Sequence, residues 1–384
     1  MGSTTVFDRR IQAGPANIPL AVRRGEGSWA ELAERTAAFE ADRFLLVADG
    51  AAPADLLGRV NAMAAGYAPC TVLDLRSAPP PDRTMPERTM PDHAAPARPT
   101  PEGRRTGGRT VVIALGGEQA CAVAADLRVP TTLAAAVGPA LALRRPPPDA
   151  RALPARTAPA LVWVRSDLLA ARPAPETRAG MIGVIRHVLA VCPAQYEALA
   201  DSLDPEARYG AGAIAAFLAV CADARAALVC FDPFETGPAL ALGYGRRLAA
   251  LVRSLADRPL APGDAEALGL LLAARIAVRL GLLDAAGAWA HRELVARNGS
   301  VTGLPGVPDA AAFADAVGAT PWPGLLLLAG LGRPYCAQGR LLTPVDAALL
   351  RAAAEGLGPI ATTEGLGPVA VPHGRVPEPQ PAAG

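Results

Sequence analysis

The chain has 384 residues, a net charge of +1 and a pI of ≈ 7.7, and 51% of its residues are hydrophobic. This length is enough to bury a large core and predicts two domains. The near-neutral charge argues against nucleic acid and against a charged membrane surface as partners. All 37 basic residues are Arg, which keeps its proton near neutral pH and therefore cannot shuttle protons or form a Schiff base.

Cysteine spacing and hydropathy narrow the cellular setting. The six cysteines form no CxxC or Cys/His cluster, so a zinc ribbon or a disulfide framework is not indicated. The N-terminus lacks an apolar signal segment. The longest apolar stretches are interrupted by charges such as Arg275 and Arg279, so we expect no membrane span. Together these features predict a cytoplasmic protein.

Short apolar runs alternate with helical patterns in the N-terminal part of the chain. Helices are predicted over 29–39, with Ser28 as the N-cap, and over 53–65. Strands are predicted over 18–22, 44–48, 71–75 and 110–115. This alternation is typical of a parallel sheet with crossover helices.

Two Pro/Arg-rich segments interrupt the pattern. Residues 78–108 contain the near-repeat RTMPE and RTMPD and predict a disordered insertion, and residues 144–159 predict a domain boundary. We therefore expect an α/β domain over 1–155, a helical domain over 156–371 and a disordered tail over 372–384. Helices of the second domain are predicted over 178–199, 210–229, 238–256, 264–283, 285–297 and 344–356.

Six patches along the chain form a recognisable series. They begin at Phe44 (FLLVADG), Val111 (VVIALGG), Arg128 (RVPTTLAAAV), Arg178 (RAGMIGVIRHVL), Ala241 (ALGYG) and Pro262 (PGDAEALGLLLAAR). In sequence, order and spacing they resemble the 3-dehydroquinate synthase-like family of sugar-phosphate cyclases. The resemblance implies a Rossmann-like α/β domain, an all-helical C-terminal domain and a substrate cleft between them.

The resemblance also shows which metal ligands are missing. The family binds a divalent ion with one Glu and two His, and the matching positions here are Gly183, Tyr244 and Pro262. Glycine and proline side chains cannot ligate, and a neutral tyrosine is a poor ligand for zinc. None of the four histidines lies at a ligand position, so we expect no bound metal.

The loop that binds NAD in the family is also altered in this chain. The resemblance implies three successive glycines, whereas Gly116 and Gly117 are followed here by Glu118. A carboxylate at a turn that faces phosphate would repel the anion. We therefore expect NAD binding to be lost, and no cofactor to be used.

The resemblance implies that the cleft binds an anionic small molecule through arginines. Arg144 and Arg186 occupy positions of substrate-binding lysines in the family, and arginine can hold an anion through two hydrogen bonds. Arg178, Arg246 and Arg247 would line the same cleft, with Tyr244 and His187 as candidate acid/base catalysts. The alternatives are a solvated arginine face and a tyrosine that fills the space left by the metal.

Two functional hypotheses therefore stay open. The first is a cyclase of bacterial specialised metabolism, such as antibiotic biosynthesis, repurposed for cyclisation or elimination without metal or NAD. The second is a non-catalytic homologue that pairs with an active paralogue, as a heterodimer, and stabilises or regulates it. The expected assembly is a homodimer or a heterodimer with a paralogue. The sequence names no substrate or product, and it leaves open whether any reaction occurs.

Overall fold

The structure is a computed structural model that describes residues 4–14, 16–50, 52–75, 109–116, 120, 131–135, 159–233, 235–255, 260–261, 263–303 and 324–355. For 131–135 and 255 only the backbone is described. The expected insertion at 78–108 and the expected tail at 372–384 lie outside these residues, as do Arg144 and Pro262.

A seven-stranded sheet forms the centre of the N-terminal part. Its order is β1-β2-β7-β6-β5-β3-β4; β1 and β2 form an antiparallel hairpin, and every other neighbouring pair is parallel. The strands are β1 (Thr4–Ala13), β2 (Ala16–Arg24), β3 (Arg43–Ala48), β4 (Cys70–Asp74), β5 (Thr110–Gly116), β6 (Thr131–Ala135) and β7 (Pro159–Arg165). The prediction of a mainly parallel α/β sheet is confirmed.

The central strands are apolar on both faces because helices cover both sides of the sheet. In β5, Val112 and Ala114 point into one core, whereas Val111, Ile113 and Leu115 point into the other. The second core is covered by α1 (Ser28–Ala37) and α2 (Ala54–Ala65). Alternation of neighbouring side chains between the faces explains why a continuous apolar run serves both cores.

The predicted N-cap of α1 is wrong by one residue. The helix starts at Ser28 and its N-cap is Gly27, which carries no side chain to cap it. The Ser28 hydroxyl instead donates a hydrogen bond to the Gly25 carbonyl at 2.8 Å. Ser28 therefore stabilises the turn between β2 and α1.

The C-terminal part is helical, as predicted. It contains α3 (Ser166–Ala170), α4 (Ala174–Ala190), α5 (Tyr196–Ser202), α6 (Ala211–Val229), α7 (Arg246–Leu255), α8 (Asp264–Arg279), α9 (Ala285–Arg297) and α10 (Ala347–Glu355). A small antiparallel pair, β8 (Leu325–Leu326) and β9 (Leu342–Thr343), lies before α10. By length and composition α6 could cross a membrane, but 50% of its apolar segment is buried in the protein, as in a core helix.

Two predicted helices are broken where the sequence contains proline or glycine. The predicted helix over 178–199 is divided into α4 and α5, because Pro193 has no N–H and disfavours a helical Cys192. The predicted helix over 238–256 begins instead as a 3-10 turn, Pro238–Gly243, and α7 follows Gly245. Gly245 has a φ of +77°, so this break places Tyr244 in a turn.

The sheet continues beyond residue 155, where the first domain was expected to end. β7 pairs with both β2 and β6, so the part of the chain that builds the sheet reaches Arg165. One apolar core also includes side chains of β1, β2 and β7 together with those of the C-terminal helices. The division into domains at 155 and 156 stays a prediction.

Candidate functional site

The fold brings Arg186, His187 and Tyr244 together in the helical part of the chain. Arg186 and His187 lie on α4, and Tyr244 lies in the turn before α7. Arg246 begins α7; burial lowers the pKa of both Arg186 and His187, and the charge of Arg246 lowers both further. The position of Arg144 is outside the described residues.

Arg186 is a buried residue with two protein partners. Only 2% of it is exposed, its Nε donates to the Tyr244 carbonyl at 2.8 Å, and its Nη2 lies 2.5 Å from Glu266 Oε2. Burial opposes the charge of Glu266, but Arg186 and Arg246 hold the pKa of that carboxyl below its usual value. Both members of the Arg186–Glu266 pair are therefore charged at neutral pH.

The Tyr244 hydroxyl is bound to a histidine that sequence analysis did not select. It lies 3.0 Å from His291 Nε2, and both residues are 0% exposed. His291 Nδ1 is 2.7 Å from the Gly287 carbonyl, which can only accept, so Nδ1 carries the proton and Nε2 accepts from Tyr244. Burial lowers the pKa of His291 to about 4 and raises the pKa of Tyr244.

His187 lies in a buried and positively charged environment. Its Nδ1 has no hydrogen-bond partner among the described residues. Burial lowers its pKa well below the usual value, and Arg225, Arg186 and Arg246 lower it further. Arg225, also missed by sequence analysis, donates to Glu235 Oε1 at 2.9 Å. His187 is therefore neutral at neutral pH and is shielded from solvent.

The remaining predicted anion-binding arginines are dispersed. Arg178 Nη2 donates to the Pro205 carbonyl at 2.7 Å, and Arg247 Nη1 donates to the Gly324 carbonyl at 3.2 Å. Arg246 is exposed. Of the predicted set, the structure thus links Arg186, His187, Tyr244 and Arg246 through contact or charge, whereas Arg178 and Arg247 bind backbone elsewhere.

The described residues do not fit the family's divalent ion. They contain no group of three or more His, Cys, Asp and Glu side chains placed to hold a metal. Gly183 offers no ligand, although a Cβ there would meet no atom within 4 Å. The Tyr244 hydroxyl already donates to a histidine. A ligating side chain at position 183 would have room, but the described residues do not provide the set of ligands that a divalent ion needs.

A cavity of about 520 Å³ lies at the carboxyl ends of β3, β5 and β7. In doubly wound α/β sheets this edge is the usual place for a ligand. The Trp29 and Trp163 rings, 5.4 Å apart, form part of its wall. Several of its charged side chains are engaged in ion pairs, namely Arg59 with Glu26, Arg165 with Asp167 and Glu26, and Arg172 with Glu176.

A carboxylate is already placed at the glycine turn after β5. Asp49 is 4% exposed, and its Oδ2 accepts from the Ala120 amide at 2.9 Å. Gly116 has a φ of +129°, and a Cβ at this position would overlap the Asp49 carboxylate. Because the Ala120 amide donates to Asp49, it is not available to bind an oxygen of a pyrophosphate. Gly117 and Glu118 lie outside the described residues.

Comparison with known proteins gives sequence relatives named 2-deoxy-scyllo-inosose synthase. No family model matches the chain. The 2-deoxy-scyllo-inosose synthase of Streptomyces lividus is 30% identical over 276 residues, which cover 65% of this chain and 71% of the relative. The enzyme of the same name from Streptomyces fradiae is 33% identical over 221 residues, covering 54% of this chain and 51% of the relative.

Solved structures share the fold. A crystal structure of 2-deoxy-scyllo-inosose synthase aligns over 90% of this chain and 98% of its own, with a TM-score of 0.73 and 19% identity. The same enzyme complexed with carbaglucose-6-phosphate, NAD+ and Co2+ aligns over 91% and 99%, with a TM-score of 0.73 and 18% identity. The 2-epi-5-epi-valiolone synthase of Streptomyces hygroscopicus, with NAD+ and Zn2+ bound, aligns over 88% and 96%, with a TM-score of 0.61 and 16% identity.

Proposed function

Because the chain belongs to the dehydroquinate synthase-like family of sugar-phosphate cyclases, we propose that it is a non-catalytic homologue that pairs with an active cyclase and stabilises or regulates it. The setting we propose is bacterial specialised metabolism, since the relatives compared are 2-deoxy-scyllo-inosose synthases. One observation carries the proposal: at a position where the family resemblance implies a metal-binding histidine, the chain has Tyr244, whose hydroxyl is buried against His291.

The accessibility of the candidate catalysts supports this proposal. A general acid or base must come within hydrogen-bond reach of the group that it protonates or deprotonates. Tyr244 is 0% exposed and His187 is 7% exposed. The Arg186 guanidinium is engaged by Glu266 and by the Tyr244 carbonyl. Tyr244 and Arg186 thus make contacts that stabilise the protein itself, and His187 is shielded from solvent.

The retained framework supports a role that depends on the fold. The described residues form a seven-stranded sheet and an apolar core that strands and C-terminal helices share. A protein that acts by association needs this framework but needs neither metal nor NAD. The partner we propose is an active cyclase with a complete metal site, such as a 2-deoxy-scyllo-inosose synthase of the same biosynthetic pathway.

Co-expression with such a synthase tests the pairing directly. We expect the two chains to elute together in size-exclusion chromatography and the synthase to gain thermal stability or turnover. An unrelated NAD-dependent dehydrogenase serves as the control partner. Separate elution, together with unchanged stability and turnover of the synthase, would contradict the proposal.

A repurposed enzyme is the second candidate, and the charge around His187 favours it. Arg186, Arg225 and Arg246 all lower the pKa of His187, and Gly183 has free space beside it. Such a positive region suits an anionic small molecule. Under this hypothesis Arg186 and Arg246, together with Arg144, bind the anion, while Tyr244 and His187 promote cyclisation or elimination; Arg178 and Arg247, which bind backbone elsewhere, take no part.

A metabolite-binding screen separates the two candidates. Purified protein is incubated with anionic metabolites, including sugar phosphates, in the presence and absence of zinc and NAD. The non-catalytic reading predicts no turnover under any condition and no saturable rise in Tm with NAD. A ligand at 100 times its Kd adds ~2.7 kcal/mol to folding stability, so binding would be visible in the melt. Turnover by the purified chain alone would favour the repurposed enzyme.

A further inference from the structure

A continuous chain of buried and partly buried polar contacts joins four segments of the helical part. Arg186 on α4 binds Glu266 on α8 and the carbonyl of Tyr244, which lies in the turn before α7. The Tyr244 hydroxyl then binds His291 on α9, and His291 binds the Gly287 carbonyl of the same helix. We call Glu266, Arg186, Tyr244 and His291 the polar chain.

Close contact between α7 and α8 fixes the turn that carries Tyr244. A Cβ added to Gly245 would lie 2.9 Å from Leu270 Cδ2, and a Cβ added to Gly269 would lie 2.7 Å from the Ala249 amide nitrogen. The absence of both side chains lets the two helices approach. The Tyr244 carbonyl is thereby held within reach of Arg186, and the tyrosine ring can extend to α9.

We propose that this polar chain replaces the family's divalent ion as the cross-link between α4, the turn before α7, α8 and α9. The family resemblance places metal ligands at Gly183 on α4, at Tyr244 in the turn and at Pro262 just before α8, so the ion would join the same first three segments. The inference rests on the metal independence contained in the proposed function.

The physical basis is the cost of an unsatisfied group in the protein interior. The bonds from Arg186 to the Tyr244 carbonyl, between Tyr244 and His291, and between His291 and the Gly287 carbonyl are buried, whereas the bond from Arg186 to Glu266 is partly buried. Removal of one partner leaves a buried donor, acceptor or charge without its counterpart, which costs more than the net gain of an ordinary hydrogen bond. Linked contacts of this kind depend on one another, so their losses are not additive.

A double-mutant cycle on the full-length protein tests the cross-link. Thermal unfolding is followed for the wild type, Tyr244→Phe, His291→Leu and the double variant, with and without EDTA. Tyr244→Phe removes one hydroxyl and keeps the ring, and we expect it to lower the Tm by about 2–4 °C. The decrease in Tm of the double variant should be smaller than the sum of the decreases of the two single variants. EDTA should leave the Tm of every variant unchanged.

Tyr209→Phe provides a matched control. Tyr209 is also buried, and its hydroxyl bonds to Asp204 rather than to His291. The decrease in Tm caused by Tyr209→Phe should therefore add to the decrease caused by His291→Leu.

The outcomes separate this inference from the proposed function. A drop in the wild-type Tm with EDTA, an unchanged Tm in Tyr244→Phe, or strict additivity between Tyr244→Phe and His291→Leu would overturn the cross-link. Failure to pair with an active synthase, combined with a coupled cycle and no effect of EDTA, would overturn the proposed function and leave the cross-link intact.

Discussion

At the scale of single residues, Arg186 shows how one position can keep its charge and change its role. The family resemblance makes it an anchor for an anionic substrate, whereas in the structure its guanidinium is satisfied by Glu266 and a carbonyl. The family resemblance identified the position, but no local pattern indicates that a carboxylate from α8 reaches it.

Substitution of Arg186 separates the two roles. We expect Arg186→Ala to lower the free energy of unfolding by about 1.5–3 kcal/mol, because a charge-assisted hydrogen bond is lost. Arg186→Lys should recover part of this stability because the charge remains. Urea denaturation measures the change. Arg208→Ala, in an exposed pair with Glu206, is the control and should change stability by less than about 1 kcal/mol.

If Arg186 is instead the anchor of a functioning cleft, Arg186→Ala weakens binding of an anion by roughly 10- to 150-fold. Unchanged stability in Arg186→Ala together with such a loss of binding would contradict the structural role.

His291 gives the stability a defined pH dependence. Its folded pKa is about 4, lowered from 6.5 chiefly by burial. Between pH 6.5 and pH 4, His291 is therefore protonated in the unfolded chain but neutral in the folded chain. The free energy of unfolding consequently falls as the pH is lowered from about 6.5 to about 4. Above pH 6.5 the neutral His291 makes its full contribution to the free energy of unfolding, on the order of 3 kcal/mol.

Unfolding free energies at a series of pH values test this dependence. We expect His291→Leu, which cannot take up a proton in either state, to flatten the slope between pH 6.5 and 4. The buried His187 and carboxyls with lowered pKa values, such as Glu266, act in the same direction and contribute to a remaining slope. A slope equal to that of the wild type in His291→Leu would show that His291 does not contribute.

At the scale of elements, apolar patterns predict most helices and strands. The points at which a helix breaks are predicted less well. The predicted helices over 210–229 and 285–297 match α6 and α9 closely. The breaks after α4 and before α7 were missed, although Pro193 and Gly245 are the residues that cause them. His291 lies on the buried face of α9 beside Gly287 and Leu294, a helical spacing that could have drawn attention to it.

The contact between α7 and α8 depends on the small size of Gly269. We expect Gly269→Ala to cost about 1–3 kcal/mol, because its Cβ would lie 3.0 Å from Ala249 Cβ and closer still to backbone atoms. Gly58→Ala is the control: its added Cβ meets nothing within 4 Å, and alanine in a helix gains about 0.5–1 kcal/mol. Equal effects of the two substitutions on chemical denaturation would contradict the close approach.

At the scale of the whole molecule, the fold could be predicted from the sequence but the arrangement of the site could not. The patches that resemble the family come from segments whose packing is retained, and the sheet and helices follow from them. The pairing of Tyr244 with His291 joins residues far apart in the sequence. No local pattern encodes such a contact, because it depends on how α9 packs against the turn before α7.

The Pro/Arg-rich segment at 78–108 is predicted to be dispensable for folding. Its composition offers too little apolar surface to offset the entropy of ordering it. Replacement by a short Gly/Ser linker should leave the Tm nearly unchanged in a thermal melt. A large loss of stability or solubility would mean that the segment contacts the folded part or mediates assembly.

The central claim is that a polar chain of protein side chains stands where the family resemblance implies a divalent ion. Elemental analysis of the purified full-length protein, after incubation with zinc or cobalt and removal of free ions by gel filtration, tests it most directly. Gly183, Tyr244 and Pro262 supply no suitable ligand set, so we predict no stoichiometric metal under either condition. One tightly held divalent ion per chain would contradict the account.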